Sequence, residues 1–141
     1  MVGLEISVEE NPAAADLDVI ERALVEHNEA KSEPRNYTPL SIFLRTAEGQ
    51  IVGGLRGVTV WGWLFVSQLW VAEHLRGRDY GTKLMEAAER EAMTRGCRAA
   101  YVDTFSFLAL DFYRKVGYTV FGELEDFPPG HTRYFLKKIF T

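Results

Sequence analysis

The chain has 141 residues, 47% of them hydrophobic and 26% charged, which suits one domain that buries its own core without disulfide or metal staples. A formal net charge of −4 argues against nucleic-acid binding, which needs a basic footprint, and a lone cysteine excludes an intrachain disulfide. The scattered His27, His74 and His131 offer no metal-ligand spacing, and with neither a signal-peptide pattern nor a long apolar span a cytoplasmic protein away from membranes is expected.

Residues 4–8 alternate apolar and polar, the period of a short first strand. Asn11 and Pro12 then supply a helix start, and Leu17, Ile20, Leu24 and His27 recur at helical spacing. That stripe predicts a helix lying on a sheet. Residues 31–39 hold two prolines and read as a loop. Strands are expected at 41–47 and 51–61, joined by a hairpin turn at Glu48, Gly49 and Gln50, and a turn at Gly62 leads into a strand at 64–71. Gly53, Gly54 and Gly57 would weaken the middle strand unless they serve a bulge or a close backbone approach, which is the expectation.

The next stretch organises the rest. An apolar run ends in Leu69, Trp70 and Val71, and Arg76-Gly77-Arg78-Asp79-Tyr80-Gly81-Thr82 follows. Tyr80, Leu84, Ala87, Ala88 and Ala92 then form the apolar stripe of a helix stopped by Gly96. Glycines ahead of a helix allow successive backbone N–H groups to converge where the helix dipole is most positive, which makes an anion cradle. A plain strand-to-helix turn with solvated arginines is the alternative. The turn lacks the Lys-Ser/Thr ending of a nucleoside-triphosphate loop and the third glycine of a dinucleotide fingerprint. Strands are expected at 98–105, 118–124 and 133–140, with a short helix at 107–116 stopped by Gly117. A strand, helix and strand centred on the turn require a parallel pair, so the fold class is α+β with one mixed sheet.

The turn resembles the acyl-CoA-binding signature of the GNAT N-acetyltransferase superfamily, Arg/Gln-x-x-Gly-x-Gly/Ala after a strand. Arg76 and Gly81 match its first and last positions, and Asp79 replaces its middle glycine. Ala109, Phe112, Tyr113, Lys115, Gly117 and Tyr118 resemble, in order and spacing, a second segment of the same family. The resemblance implies one domain over residues 1–141, a mostly antiparallel sheet with a splayed parallel pair, and helices on both faces. It also implies acetyl-CoA as cosubstrate, a small-molecule amine as acceptor, direct transfer in a ternary complex, and a homodimer. A noncatalytic acyl-CoA-binding domain and a protein N-terminal or lysine acetyltransferase are the competing expectations.

Residue by residue, the resemblance assigns the diphosphate to the backbone around Gly77, Arg78, Asp79, Tyr80, Gly81 and Thr82, with Arg76 as a nearby cation. It gives the pantetheine amides to Leu69 and Val71, the thioester carbonyl to the Val71 N–H, and further cofactor contacts to Ser106 and Ala109. Tyr113 aligns with the tyrosine that protonates the departing thiolate, against the alternative of a buried aromatic anchor. Asp79 and Ser106 each double as helix caps. For the general base, Glu73, Asp103, His74 and a water chain all stand. Trp61, Trp63, Phe65 and Tyr37 are offered either as an acceptor wall or as core packing.

Overall fold

The computed structural model describes residues 3–141. By its internal contacts the chain divides between Arg35 and Asn36 into two compact units. The first carries α1 (Ala14–Lys31), none of whose residues is buried. The expected strand at residues 4–8 does not form, and Leu4, Ile6 and Val8 are exposed. Alternation alone does not make a strand; an extended segment needs a neighbouring ladder for its backbone polar groups. The helix also begins later than its capping signal, with Ala13 rather than Asn11 at the N-cap, and Leu17, Ile20 and Leu24 of its stripe are each more than half exposed.

The second unit is a six-stranded sheet in the order β1-β2-β3-β4-β6-β5, made from β1 (Thr38–Arg45), β2 (Ile51–Val60), β3 (Trp63–Val71), β4 (Ala99–Phe105), β5 (Thr119–Glu125) and β6 (Thr132–Ile139). β1, β2 and β3 form an antiparallel meander. The turn between β2 and β3 puts both Trp61 (φ 48°) and Gly62 (φ 77°) in the left-handed region, as a tight hairpin matched to strand twist requires. After β3 come a 3-10 turn (Glu73–Leu75) and α2 (Tyr80–Thr94), whose crossover makes β3 and β4 the parallel pair. α3 (Leu110–Lys115) then leads to β5, and β6 inserts between β4 and β5, antiparallel to both.

The core lies where α2 crosses the sheet. Leu40, Leu55, Leu64, Val66, Val102 and Leu136 pack with Met85, Ala88 and Ala92, and the two alanines are fully buried, which permits close approach. Met85 and Glu89 belong to the buried face of α2 as well, beyond the stripe read from sequence. Glu89 accepts hydrogen bonds from the Tyr118 hydroxyl and from Lys138 Nζ, each at 2.8 Å. A buried carboxylate tolerates that position because both its oxygens are satisfied. Burial, reinforced by the Glu89 charge and hydrogen bond, pushes the Tyr118 phenol strongly upward.

The glycines of β2 serve the close approach expected of them. A Cβ on Gly57 would overlap the Phe65 carbonyl oxygen. The accompanying bulge sits on the partner strand: Arg56 faces Gln68 while Gly57 faces Val66, so Ser67 is the extra residue, its Oγ donating to the Arg56 carbonyl at 3.0 Å.

Candidate active site

β3 and β4 are paired only from Trp63 with Ala99 to Val66 with Val102. β3 runs on to Val71 and β4 to Phe105 without further pairing to each other, so the two strands part. The Ser67 bulge lies where the parting begins, and the local twist of a bulge supplies the bend.

The parted strand leads into the cradle. Gly77 (φ 78°) and Asp79 (φ 67°) are both left-handed, so the chain reverses sharply before α2 starts at Tyr80. Among the described residues, no backbone N–H of residues 79–82 donates to another group of the chain; the first such bond at the helix start runs from Lys83 N to the Asp79 carbonyl at 3.0 Å. Those N–H groups therefore remain available at the positive end of a helix dipole. Asp79 holds the N-cap position but makes no side-chain cap, so the capping role offered for its carboxylate is corrected. What the position requires is the left-handed backbone, which Asp tolerates better than most residues. The Arg76 side chain folds back, its Nε donating to the Val71 carbonyl at 3.1 Å, and so ties the cradle to the strand end.

Splay and cradle border one cavity of about 480 Å³. Leu69, Val71, Arg76, Gly77, Asp79, Tyr80, Gly81, Thr82 and Ala109 all line it. Arg78, Ser106, Tyr113, Glu73 and Asp103 do not. Leu75, Leu108, Phe112 and Lys115 join the lining. For Phe112 and Lys115 a signal existed, since they sit one helical step apart on α3 within the second motif. Gly81 is explained by Phe112, because a Cβ there would stand 3.3 Å from the ring.

Tyr113 is 6% exposed, with its ring edge-on to Phe112 and Tyr118. Among the described residues its hydroxyl has no hydrogen-bond partner, yet no fully buried side-chain polar atom lacks one, so the hydroxyl opens onto solvent-accessible space. Burial, and secondarily the charge of Asp103, pushes the phenol up to about 12. It stays protonated throughout the physiological range.

Asp103 is paired with Arg133, whose Nη2 lies 2.9 Å and Nε 3.1 Å from the same carboxylate oxygen. Arg133 in turn lies against the rings of Phe105, Phe127 and Phe135. Glu73 and His74 are exposed on the 3-10 turn. Ser106 is not a helix cap: α3 has Ala109 at its N-cap with no side-chain bond. The Ser106 hydroxyl instead accepts from Thr132 N at 3.1 Å and lies 3.2 Å from His131 Nδ1, while Thr104 Oγ1 accepts from Ala109 N at 3.2 Å. Trp63 and Phe65 pack on Tyr101 of β4, and Trp61 is diverted into the turn. Cys97 is buried, and that burial pushes its thiol up. Among the described residues no helix is long and apolar enough to cross a membrane, and no group of three or more metal-ligating side chains gathers.

A mixed sheet with one parted parallel pair, next to a helix start whose amides are unused, defines the fold class of an N-acetyltransferase. The Acetyltransferase (GNAT) family model matches residues 9–118, and the chain belongs to that family. It is 38% identical to an acetyltransferase of Agrobacterium fabrum, over 83% of this chain and 85% of that protein, and 38% identical to the blasticidin-S acetyltransferase of Streptomyces morookaense, over 71% and 76%. A crystal structure of a candidate acetyltransferase from Agrobacterium tumefaciens superposes with a TM-score of 0.90 at 34% identity, covering 97% of this chain and all of that one.

Proposed function

We propose that the chain is one catalytic domain that transfers an acetyl group from acetyl-CoA to the primary amine of a small molecule, by direct attack within a ternary complex. The observation that carries this reading is the run of unused N–H groups at residues 79–82 beside the parted strands. An acyl-CoA needs both an anion site for its diphosphate and a slot for its slender arm. The amides of Arg78, Asp79, Tyr80, Gly81 and Thr82 receive the diphosphate, with Arg76 and Lys115 as flanking cations. Leu69 and Val71 offer main-chain groups to the pantetheine amides, and Ala109 closes the far wall. The Val71 N–H is assigned to the thioester carbonyl, where it would stabilise the oxyanion as charge develops.

Transfer also needs an acid for the leaving thiolate and a base for the ammonium. Tyr113 is assigned the first role as the neighbour of cavity-lining Phe112 on α3, and its phenol, held at about 12, is protonated when the thiolate, with a reference pKa of about 8.5, departs. For the second, Asp103 is already neutralised by Arg133, which leaves Glu73, His74 and solvent water to take the proton. A small acceptor is supported by the relative that acts on blasticidin-S. Cytoplasmic location and a homodimer complete the reading. The test is turnover: free thiol released from acetyl-CoA in the presence of an amine panel should exceed background. Binding of acetyl-CoA with no transfer to any amine would favour a noncatalytic acyl-CoA-binding domain instead.

A further inference from the structure

A second cavity, of about 360 Å³, lies on the meander and is bordered by Phe43, Gly53, Gly54, Arg56, Gln68 and Trp70. The register explains its shape. Phe43, Gly54 and Trp70 stand side by side across β1, β2 and β3, so they point to one face, and the middle residue has no side chain. Phe43 and Trp70 are each 52% exposed and wall a trough floored by bare backbone. Outer strands two spacings apart lie about 9.5 Å from each other, and a flat ring between two others needs about 7–8 Å. One planar ring fits. The floor cannot be filled cheaply, since a Cβ on Gly54 would come within 2.9 Å of the Ile42 carbonyl oxygen.

The next rung on the same face is polar. Ser41, Arg56 and Gln68 are aligned there, and Arg56 Nη1 donates to Gln68 Oε1 at 3.3 Å with no carboxylate paired to the guanidinium among the described residues. The end of the trough is therefore a cation with spare donors. Trp70 borders both this trough and the larger cavity, while its neighbours Leu69 and Val71 border only the latter. A molecule in the trough lies across β3 from the candidate acyl site, at the strand whose other edge is free beyond Val66.

We infer that the trough is the acceptor subsite, selecting an amine whose distal end is a planar ring carrying an anionic or carbonyl oxygen: the ring lies between Phe43 and Trp70 and the oxygen meets Arg56. This rests on the proposed amine transfer, and it identifies the side chains that would select the acceptor. The experiment compares 4-(2-aminoethyl)benzoate, phenethylamine and hexylamine as acceptors for the wild-type chain, Arg56→Met and Phe43→Ala. Wild type should prefer them in that order by kcat/KM. Arg56→Met should erase the advantage of the benzoate, a loss of at least about fivefold, and leave phenethylamine unchanged. Phe43→Ala should lower both aromatic acceptors by a similar factor and spare hexylamine, with acetyl-CoA affinity by calorimetry unaltered in both variants. Unchanged acceptor ratios in both variants would overturn the inference, as would a Phe43→Ala effect expressed only as a changed oligomeric mass by light scattering. Titration with 4-ethylbenzoate, which has no amine, separates the two claims. Saturable quenching of tryptophan fluorescence, lost in Arg56→Met, would uphold the subsite even if no amine were acetylated, and its absence in wild type would overturn it.

Discussion

Replacing Asp79 by glycine tests the cradle at its most unusual residue. The position is left-handed at φ 67° and ψ 14°, where an L side chain costs roughly 1–2 kcal/mol and Asp somewhat less. Glycine removes that cost but surrenders about 0.4–1 kcal/mol through the freer unfolded chain, so the thermal midpoint should barely move. The electrostatic effect does not cancel. A carboxylate about 6 Å from a doubly charged diphosphate in water-like surroundings repels it by about 1.4 kcal/mol, and salt halves this at an exposed site to about 0.7 kcal/mol. Asp79→Gly should therefore tighten CoA binding about threefold by calorimetry, with the gain shrinking as salt is raised. Asp79→Asn, which keeps a side chain tolerant of this backbone, should recover most of the gain if charge is its source. Unchanged or weaker binding in both variants would refute the placement of the diphosphate over this turn.

Tyr113→Phe should lower kcat at least about tenfold while leaving the KM for acetyl-CoA within about twofold, as a lost acid requires; full activity would remove that role. Because burial raises the Tyr113 phenol to about 12 from the ordinary phenol value of 10.0, its contribution to stability is complete below about pH 10 and lost as the pH climbs toward 12, which alkaline unfolding of wild type against Tyr113→Phe would reveal. Glu89→Ala strips the Tyr118 hydroxyl and Lys138 of their shared acceptor and should cost about 2 kcal/mol in urea unfolding, or about 6 °C in melting temperature; a loss below about 0.5 kcal/mol would contradict the buried network. Gly81→Val places carbon against Phe112 and into the cavity, and should weaken CoA binding more than tenfold while the chain remains folded by circular dichroism.

Much of the fold could be read from local chemistry. Gly49, Gly62, Gly96 and Gly117 punctuate the chain where strands and helices end, and each has the positive φ that only glycine adopts freely. The β3-α2-β4 crossover followed from a strand and a helix around one turn, and the parallel pair followed from the crossover. Long-range relations were less legible. Gly53, Gly54 and Gly57 read as a bulge or a close approach, and the approach is theirs while the extra residue is Ser67 across the ladder, because sequence marks which strand must be approached rather than which one yields. Residues 4–8 alternate correctly and form no strand, since period says nothing about the presence of a neighbour. Asp103 reads as a free carboxylate until β6 places Arg133 beside it, and Ser106 reads as a cap until the Thr132 amide claims its hydroxyl. The cradle was legible because its demands are local, whereas a base depends on what folding brings across the splay.

The central claim concerns amides, and amide resonances report on it directly. In an 15N-labelled sample titrated with CoA, the N–H signals of Arg78, Asp79, Tyr80, Gly81 and Thr82 should move downfield together and saturate with the calorimetric affinity, as new hydrogen bonds to a diphosphate require. If CoA bound while those signals stayed in place and the shifts clustered elsewhere, the cradle would not be the cofactor site and the account built on it would fail.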